Sequence, residues 1–340
     1  MRHPEPVGAG AHVRVISPSW PALRRLQQRI PRAEQVMDRM GLQVSYGAHA
    51  ACISDDGASA GSPQQRAADF MDAFTDPSVD VVLSAFGGNT THELLPLLDT
   101  DRLRAESKPF IGNSDNAWLH QYLFQEVGLT SYFGATYVGE IGGFGGPFPE
   151  TLESFQRALL SAGDLVCLPM ARRTSEFRTL SRREVEGQRR VLNLDGGWHW
   201  VRSGRGRGPL LGAEIGLLTA MAAHFNLKLD GCVVFWDVGI FSTEDVRDQL
   251  ANLADRVSLD RLAGMMVGPD VRYTMDAWAD AVADALSSVA PAANYPVVVN
   301  ADVGHLDPKW TVPYGRDVVL DSSQGVVFPQ VSRADRIDRV

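Results

Sequence analysis

Lysine is almost missing: Lys108, Lys228 and Lys309 are the whole supply in 340 residues, so positive charge rests on arginine. With a formal net charge of -9, the chain lacks the basic surface that nucleic acid or an anionic membrane would need. Arginine clusters around Arg189 and Arg205 are short and diluted by glycine, as in loops. Cysteine is equally scarce. Cys52, Cys167 and Cys232 are scattered and odd in number, giving neither a metal spacing nor a disulfide framework, which fits a reducing cytoplasm. No apolar run approaches a membrane span, and Met1-Arg2-His3-Pro4-Glu5-Pro6 lacks the apolar core of a signal peptide. The dinucleotide G-x-G-x-x-G spacing, a Walker lysine motif and a His-Glu-x-x-His zinc motif are absent too.

What is present is a regular alternation of short strands and helices. Strands are expected at 13–17, 42–46, 79–86 and 110–111, with helices at about 20–40, 64–74 and 92–98, and one opening at the polar turn after 112 and continuing to about 125. This pattern implies a mainly parallel sheet covered on both faces, with any ligand beyond the carboxyl ends of its strands. Gly87-Gly88 and Ser114 both fall at such ends. A glycine- and proline-rich stretch at 139–149 and a helix at about 150–162 close a first unit, 1–164. Residues 165–208 are polar and arginine-rich and read as a bridging segment, expected as a β-hairpin overhanging the cleft. A second α/β unit, 209–340, follows, ending in a hairpin over 318–328.

Lys108-Pro109-Phe110-Ile111-Gly112-Asn113-Ser114-Asp115 is a strand running through a polar turn into a helix. Such a turn holds a serine out of the sheet as a nucleophile elbow; the same letters serve equally as an ordinary helix N-cap. Gly87-Gly88 after a buried strand is a backbone device, either a tight turn or N–H groups offered to a ligand. His305 follows Gly304 at another strand end, within reach of a cleft. His92 and His120 are candidate substrate contacts, and His224 is a packing residue. Trp198 and Trp200 share a strand face and are either stacking platforms for a planar ligand or packing aromatics. Ser114 and His305, with Gly87-Gly88, suggest Ser/His nucleophilic catalysis, which asks for a carboxylate to orient the histidine.

On these residues the chain resembles the serine LD-carboxypeptidases, the S66 peptidase family, and within it the branch of the microcin C self-immunity peptidases. Arg66-Ala67-Ala68-Asp69-Phe70-Met71-Asp72-Ala73-Phe74, Gly87-Gly88 with Glu93-Leu94-Leu95, the Gly112-Asn113-Ser114-Asp115 turn and Gly304-His305 keep that family's motif order. Phe177, Gly197-Trp198 and Gly204-Arg205-Gly206 are similar to its microcin-immunity branch. The resemblance implies a two-domain α/β fold, a flavodoxin-like parallel sheet followed by a C-terminal α/β domain, with the site between them. It also implies Ser114 as nucleophile, His305 as base, and the N–H groups of Gly88 and Asp115 as oxyanion hole. Asn89, Trp198 and Trp236 would contact substrate. No metal or cofactor would be needed, the substrate would be a small molecule or short peptide, and a cytoplasmic homodimer is expected.

The sequence departs from the family at the orienting acid. In Val234-Phe235-Trp236-Asp237-Val238-Gly239-Ile240 the family's glutamate position falls on Trp236, which offers only an N–H donor. Gly212-Ala213-Glu214-Ile215 introduces a carboxylate where the family has Gly-Gly-Asn-Leu. The expectation is that Glu214 replaces the acid, with Asp237 and then Asp302 as weaker candidates; Glu214 equally fits an ordinary first-turn acid. The leading activity is hydrolysis of an amide in a peptide- or aminoacyl-nucleotide-like substrate, as in self-protection against an antibiotic. The alternatives are a repurposed enzyme of specialised-metabolite biosynthesis (ring closure, elimination or acyl transfer), or a binding protein with impaired catalysis.

Overall fold

Short β-branched runs alternating with helices build two sheets in the computed structural model, which describes residues 1–177, 187–239 and 242–330. The first sheet takes β1 (His12–Ile16), β2 (Gln43–Tyr46), β3 (Val81–Ser84), β4 (Phe110–Gly112) and β5 (Ser131–Phe133), all parallel in the order 5-4-3-1-2. Successive residues along these strands enter opposite cores. Val81, Leu83 and Ile111 pack in one cluster, and Val82 and Phe110 in the other. Both faces are therefore covered, as the apolar runs require.

The bridging segment contributes β6 (Leu165–Cys167), β7 (Arg172–Arg173), β8 (Leu194–Asp195) and β9 (His199–Arg202). It does not stand apart as a single hairpin. β7 and β8 pair with each other, but β6 and β9 are the two edges of the second sheet. That sheet is centred on parallel β10 (Arg205–Glu214), β11 (Val233–Asp237), β12 (Gly264–Val267) and β13 (Val297–Val299). After these, β14 (Val312–Tyr314) crosses back to pair with β5 of the first sheet. β15 (Asp317–Asp321) and β16 (Gly325–Phe328) then form the expected antiparallel hairpin. The arginine-rich middle of the bridge, 178–186, lies outside the described residues, as does Ile240 of the acid motif.

Two helices differ from their sequence pattern. The segment 20–40 breaks into Ala22–Arg25, a 3-10 turn Gln27–Arg29, and Ile30–Arg39. Pro31 sits in the first turn of the last piece, where its missing N–H breaks no helical bond. The helix expected at 92–98 is a 3-10 helix, Thr91–Leu97, with Pro96 inside it. The helix Pro63–Thr75 starts on a capping box, Ser62 with Gln65, worth about 1 kcal/mol.

An aromatic seam joins the sheets. Phe133 of β5 meets Phe235 of β11 at 4.8 Å between ring centroids, and Phe235 meets Tyr314 of β14 at 6.3 Å. This packing sets the strand ends of one sheet against those of the other. Among the described residues no helix is long and apolar enough to cross a membrane.

Candidate active site

Beyond β4 the chain turns through extended Asn113 to Ser114 at φ 58°, then into a 3-10 turn and the helix Ala117–Tyr122. A left-handed serine is strained by about 1–3 kcal/mol and persists only where neighbours over-determine it. Asn116 supplies that restraint: its Nδ2 donates to Phe86 O at 3.0 Å and Asn113 O at 2.7 Å. Gly87 closes from the other side. A Cβ there would stand 2.7 Å from Ser114 Cβ, so a glycine lets the β3 loop lie against the elbow.

The same loop is tied down almost amide by amide. Gly87 O accepts from Trp20 N, Ser19 Oγ accepts from Asn89 N and Thr90 N, and Asp115 Oδ2 accepts from Thr91 N at 2.8 Å. The N–H groups of Gly88 and Asp115 donate to no acceptor among the described residues. Two free amides flanking a serine, one at the start of a helical segment, suit a developing oxyanion.

Across the cleft, His305 Nε2 stands 2.9 Å from Ser114 Oγ and its Nδ1 stands 2.7 Å from Asp237 Oδ2. The carboxylate accepts from Nδ1–H, leaving Nε2 as acceptor for the serine hydroxyl. His305 N also donates to Asp237 Oδ2 at 3.1 Å, fixing backbone and ring on one oxygen. Gly304, at φ 93°, allows this approach. A Cβ at that position would lie 2.5 Å from Asp237 Cγ. Burial pushes the Asp237 carboxyl upward, but the charge and hydrogen bonds of His305, with Lys309 behind it, outweigh burial and hold it below its ordinary value.

The carboxylate on His305 is thus Asp237 rather than Glu214, reversing the order expected from sequence. Parallel pairing sets Glu214 beside Asp237 at the carboxyl ends of β10 and β11. Glu214 caps the helix Ile215–Phe225, its oxygens accepting from Gly216 N at 3.0 Å and Leu217 N at 2.9 Å. Burial raises its pKa. Trp236, one residue before Asp237, points to the other face of β11 and is fully buried. Its Nε1 faces Met265 Sδ at 3.2 Å and its ring meets Trp278 edge-on. It is a core residue, not a substrate contact.

Three further expectations change. Trp198 donates from Nε1 to Asp302 Oδ2 at 3.1 Å and packs on Trp200 and Trp310, away from the cavity-lining residues. Asp302 is held by buried Arg173 at 2.7 Å, not by His305. His120 is fully buried, with Nε2 donating to Gly112 O at 3.0 Å and Nδ1 accepting from Ser131 Oγ at 2.7 Å. Burial pushes its pKa down to about 3. Asn89 and His92 do line the cavity, and the exposed His224 makes packing contacts with Trp118 and Phe225.

That cavity measures about 810 Å³ and is bounded by Ser114, His305, Gly88 and Asp115 on the reacting side. Phe86, Trp118 and Phe177 give it apolar walls; Phe86, Trp118 and Gln249 had no signal in the sequence beyond their place near strand ends and helix starts. Equally unforeseen is a buried polar chain behind the elbow. Lys309 Nζ donates to Gly304 O at 2.8 Å and sits 3.0 Å from Glu140 Oε1, which accepts from Asn113 Nδ2 at 3.4 Å. One ammonium thereby connects the residue before Ser114 to the residue before His305. One of three lysines placed four residues after the histidine was the available clue. Among the described residues no cluster of side chains could hold a metal ion.

The chain is similar to known proteins along nearly its whole length. The LD-carboxypeptidase N-terminal domain of the S66 peptidases matches residues 13–134, and its C-terminal domain matches 207–320. The microcin C7 self-immunity protein of Escherichia coli is 22% identical, over 93% of this chain and 92% of its own. An MccF-like protein of Bacillus anthracis superposes with a TM-score of 0.86 at 22% identity, over 97% of this chain and all of the other. MccF solved with glutamyl sulfamoyl guanosine superposes at 0.80 and 20% identity, over 97% and 98%. With both family domains present in order, the chain belongs to the S66 LD-carboxypeptidase family.

Proposed function

We propose that the protein is a serine amidohydrolase that cleaves an amide in a small peptide- or aminoacyl-nucleotide-like substrate. The observation that carries this reading is the continuous line Ser114 Oγ–His305 Nε2, His305 Nδ1–Asp237 Oδ2, at 2.9 and 2.7 Å. In the reaction, His305 Nε2 takes the Ser114 proton as Oγ bonds to the amide carbon. The N–H groups of Gly88 and Asp115 receive the oxyanion. The imidazolium, held by Asp237, then protonates the departing nitrogen, the C–N bond breaks, and an acyl-serine remains. Water activated by the same imidazole releases the acid. The self-immunity relative and the nucleotide-like ligand of MccF support the substrate class.

The alternatives, a non-hydrolytic biosynthetic enzyme or a binding protein, rested on an indole in place of the acid. With Asp237 on His305, no observation favours them. A fluorophosphonate probe tests the proposal: labelling confined to Ser114, and lost in Ser114→Ala with unchanged thermal unfolding, is the expected result. Undiminished amide turnover by Ser114→Ala would remove the nucleophile.

A further inference from the structure

The charged lining of the cavity is one-sided. Beside Ser114 and His305 it carries Glu214, Glu244 and Asp115, and among the described residues no lysine or arginine lines it. Its imidazoles are His305, which is engaged by Asp237, and His92. Glu214 and Asp237 end adjacent strands, and each carboxylate disfavours a further negative charge between them. Glu244 makes no ion pair among the described residues, and its backbone N–H donates to Ser242 Oγ at 3.4 Å.

A second, independent feature lies at the same end. Gln249 lines the cavity, is only 5% exposed, and donates from Nε2 to Ser242 Oγ at 2.5 Å. Its Oε1 is buried without a hydrogen-bond partner. A buried acceptor left unpaired in a native fold is costly and is a place where a donor on a bound molecule gains most. Glu244, the Gln249 Oε1 and Glu214, whose oxygens also cap the helix at Gly216 N and Leu217 N, are the acceptors at this end. Arg256 lines an adjoining cavity of about 220 Å³ beside Asp255, which shares Gly216, Glu244 and Gln249 with the first.

We propose that the Glu214–Glu244–Gln249 end of the cavity is a subsite for a cationic group of the substrate, a primary ammonium or guanidinium, so that the protein selects basic acyl-amino compounds over acidic ones. This rests on the amidohydrolase reading and names the substrate class for that site. It sets the chain apart from MccF, whose solved ligands include glutamyl and aspartyl sulfamoyl nucleosides. Like charges brought together in a cleft repel, so exclusion of acidic substrates adds to the attraction of basic ones.

The test uses two matched sets: lysyl, arginyl, leucyl and glutamyl sulfamoyl adenosine, and dipeptides carrying lysine, leucine or glutamate on either side of the scissile amide. Binding to the full-length Ser114→Ala protein is measured by calorimetry, and turnover by wild type separately. The expected result is at least about tenfold tighter binding of a lysyl or arginyl member than of its glutamyl counterpart. Glu244→Lys should narrow that ratio about fivefold, and added salt should narrow it too. Equal binding, tighter binding of the glutamyl members, or no binding of any basic member would overturn the subsite. Selective binding without turnover by wild type would sustain the subsite and overturn the hydrolytic reading instead.

Discussion

The two halves of the cleft are built differently. The Ser114 half is contiguous: strand, turn and helix run without a break from Phe110 to Tyr122, and the two free amides beside the serine come from that turn and the neighbouring strand end. The Asp237–His305 half is assembled from separate strand ends, β11 and the turn after β13, held together by a glycine approach and a buried lysine. A contiguous site is specified by local letters. An assembled one is specified by which face each strand residue takes, and a one-residue difference moves a side chain from cleft to core.

The sharpest way to break this contrast is to remove the charge of the carboxylate that faces His305. Asp237→Asn keeps shape but removes the charge that fixes the His305 tautomer. Amide turnover should fall by roughly 10⁴-fold, as for loss of the acid in a Ser–His–Asp triad. Steady-state kinetics on purified, folded protein checks this. A fall of less than tenfold would show that His305 is oriented by another group.

The first half was legible in sequence, the second only partly so. The parallel sheet, the elbow at Ser114 and the Gly87-Gly88 loop followed from β-branched runs ending in glycine and polar turns. His305 followed from Gly304 at a strand end. The acid was misread because motif alignment placed Trp236 at the glutamate position. Strand alternation, with Trp236 in the core and Asp237 at the end of β11, was the relevant physical rule. Trp198 was unreadable for another reason: whether an aromatic on a strand faces ligand or protein depends on Asp302 and Trp310, more than a hundred residues away.

Stability separates the halves next. Lys309→Met takes the ammonium from buried Glu140, at a cost of about 3–5 kcal/mol, while Asp307 keeps Arg190 at 2.7 Å. Urea unfolding should show this loss, and turnover should fall with it because Gly304 O and Asn113 lose their common tether. An unchanged urea midpoint would mean the ammonium is not needed to hold the two turns together.

On the serine side, His120 makes a pH signature. Its folded pKa, about 3, lies below the ordinary histidine value. The unfolded chain therefore binds a proton that the folded chain does not between those values, and stability declines as pH falls from about 6.5 toward 3. The contribution approaches about 1.4 kcal/mol per pH unit within that window. His120→Gln should flatten the dependence of the urea midpoint between pH 6 and 4. Asp237 acts later: its lowered folded pKa gives stability present above the unfolded carboxyl value and lost as pH falls through the folded one. An equally steep wild-type and His120→Gln profile would show that the buried imidazole is not the group titrating.

The smallest effect belongs to Glu214, and it sharpens the comparison most directly because Glu214 and Asp237 are register partners on adjacent strands. Glu214→Ala removes two accepted hydrogen bonds at the start of the helix Ile215–Phe225 and should cost about 1 kcal/mol of stability. Because His305 Nδ1 is held by Asp237, turnover of a neutral leucyl substrate, which makes no use of the acidic end of the cavity, should fall less than tenfold. Its pKa is raised by burial and by the neighbouring Asp237, so replacing it also relieves repulsion at the strand ends. A loss in Glu214→Ala approaching that of Asp237→Asn, at equal folded fraction, would make the two carboxylates one functional unit. A small loss with the neutral substrate leaves the division of labour as the structure draws it: one acid for the histidine, the other for the helix start and the cavity wall.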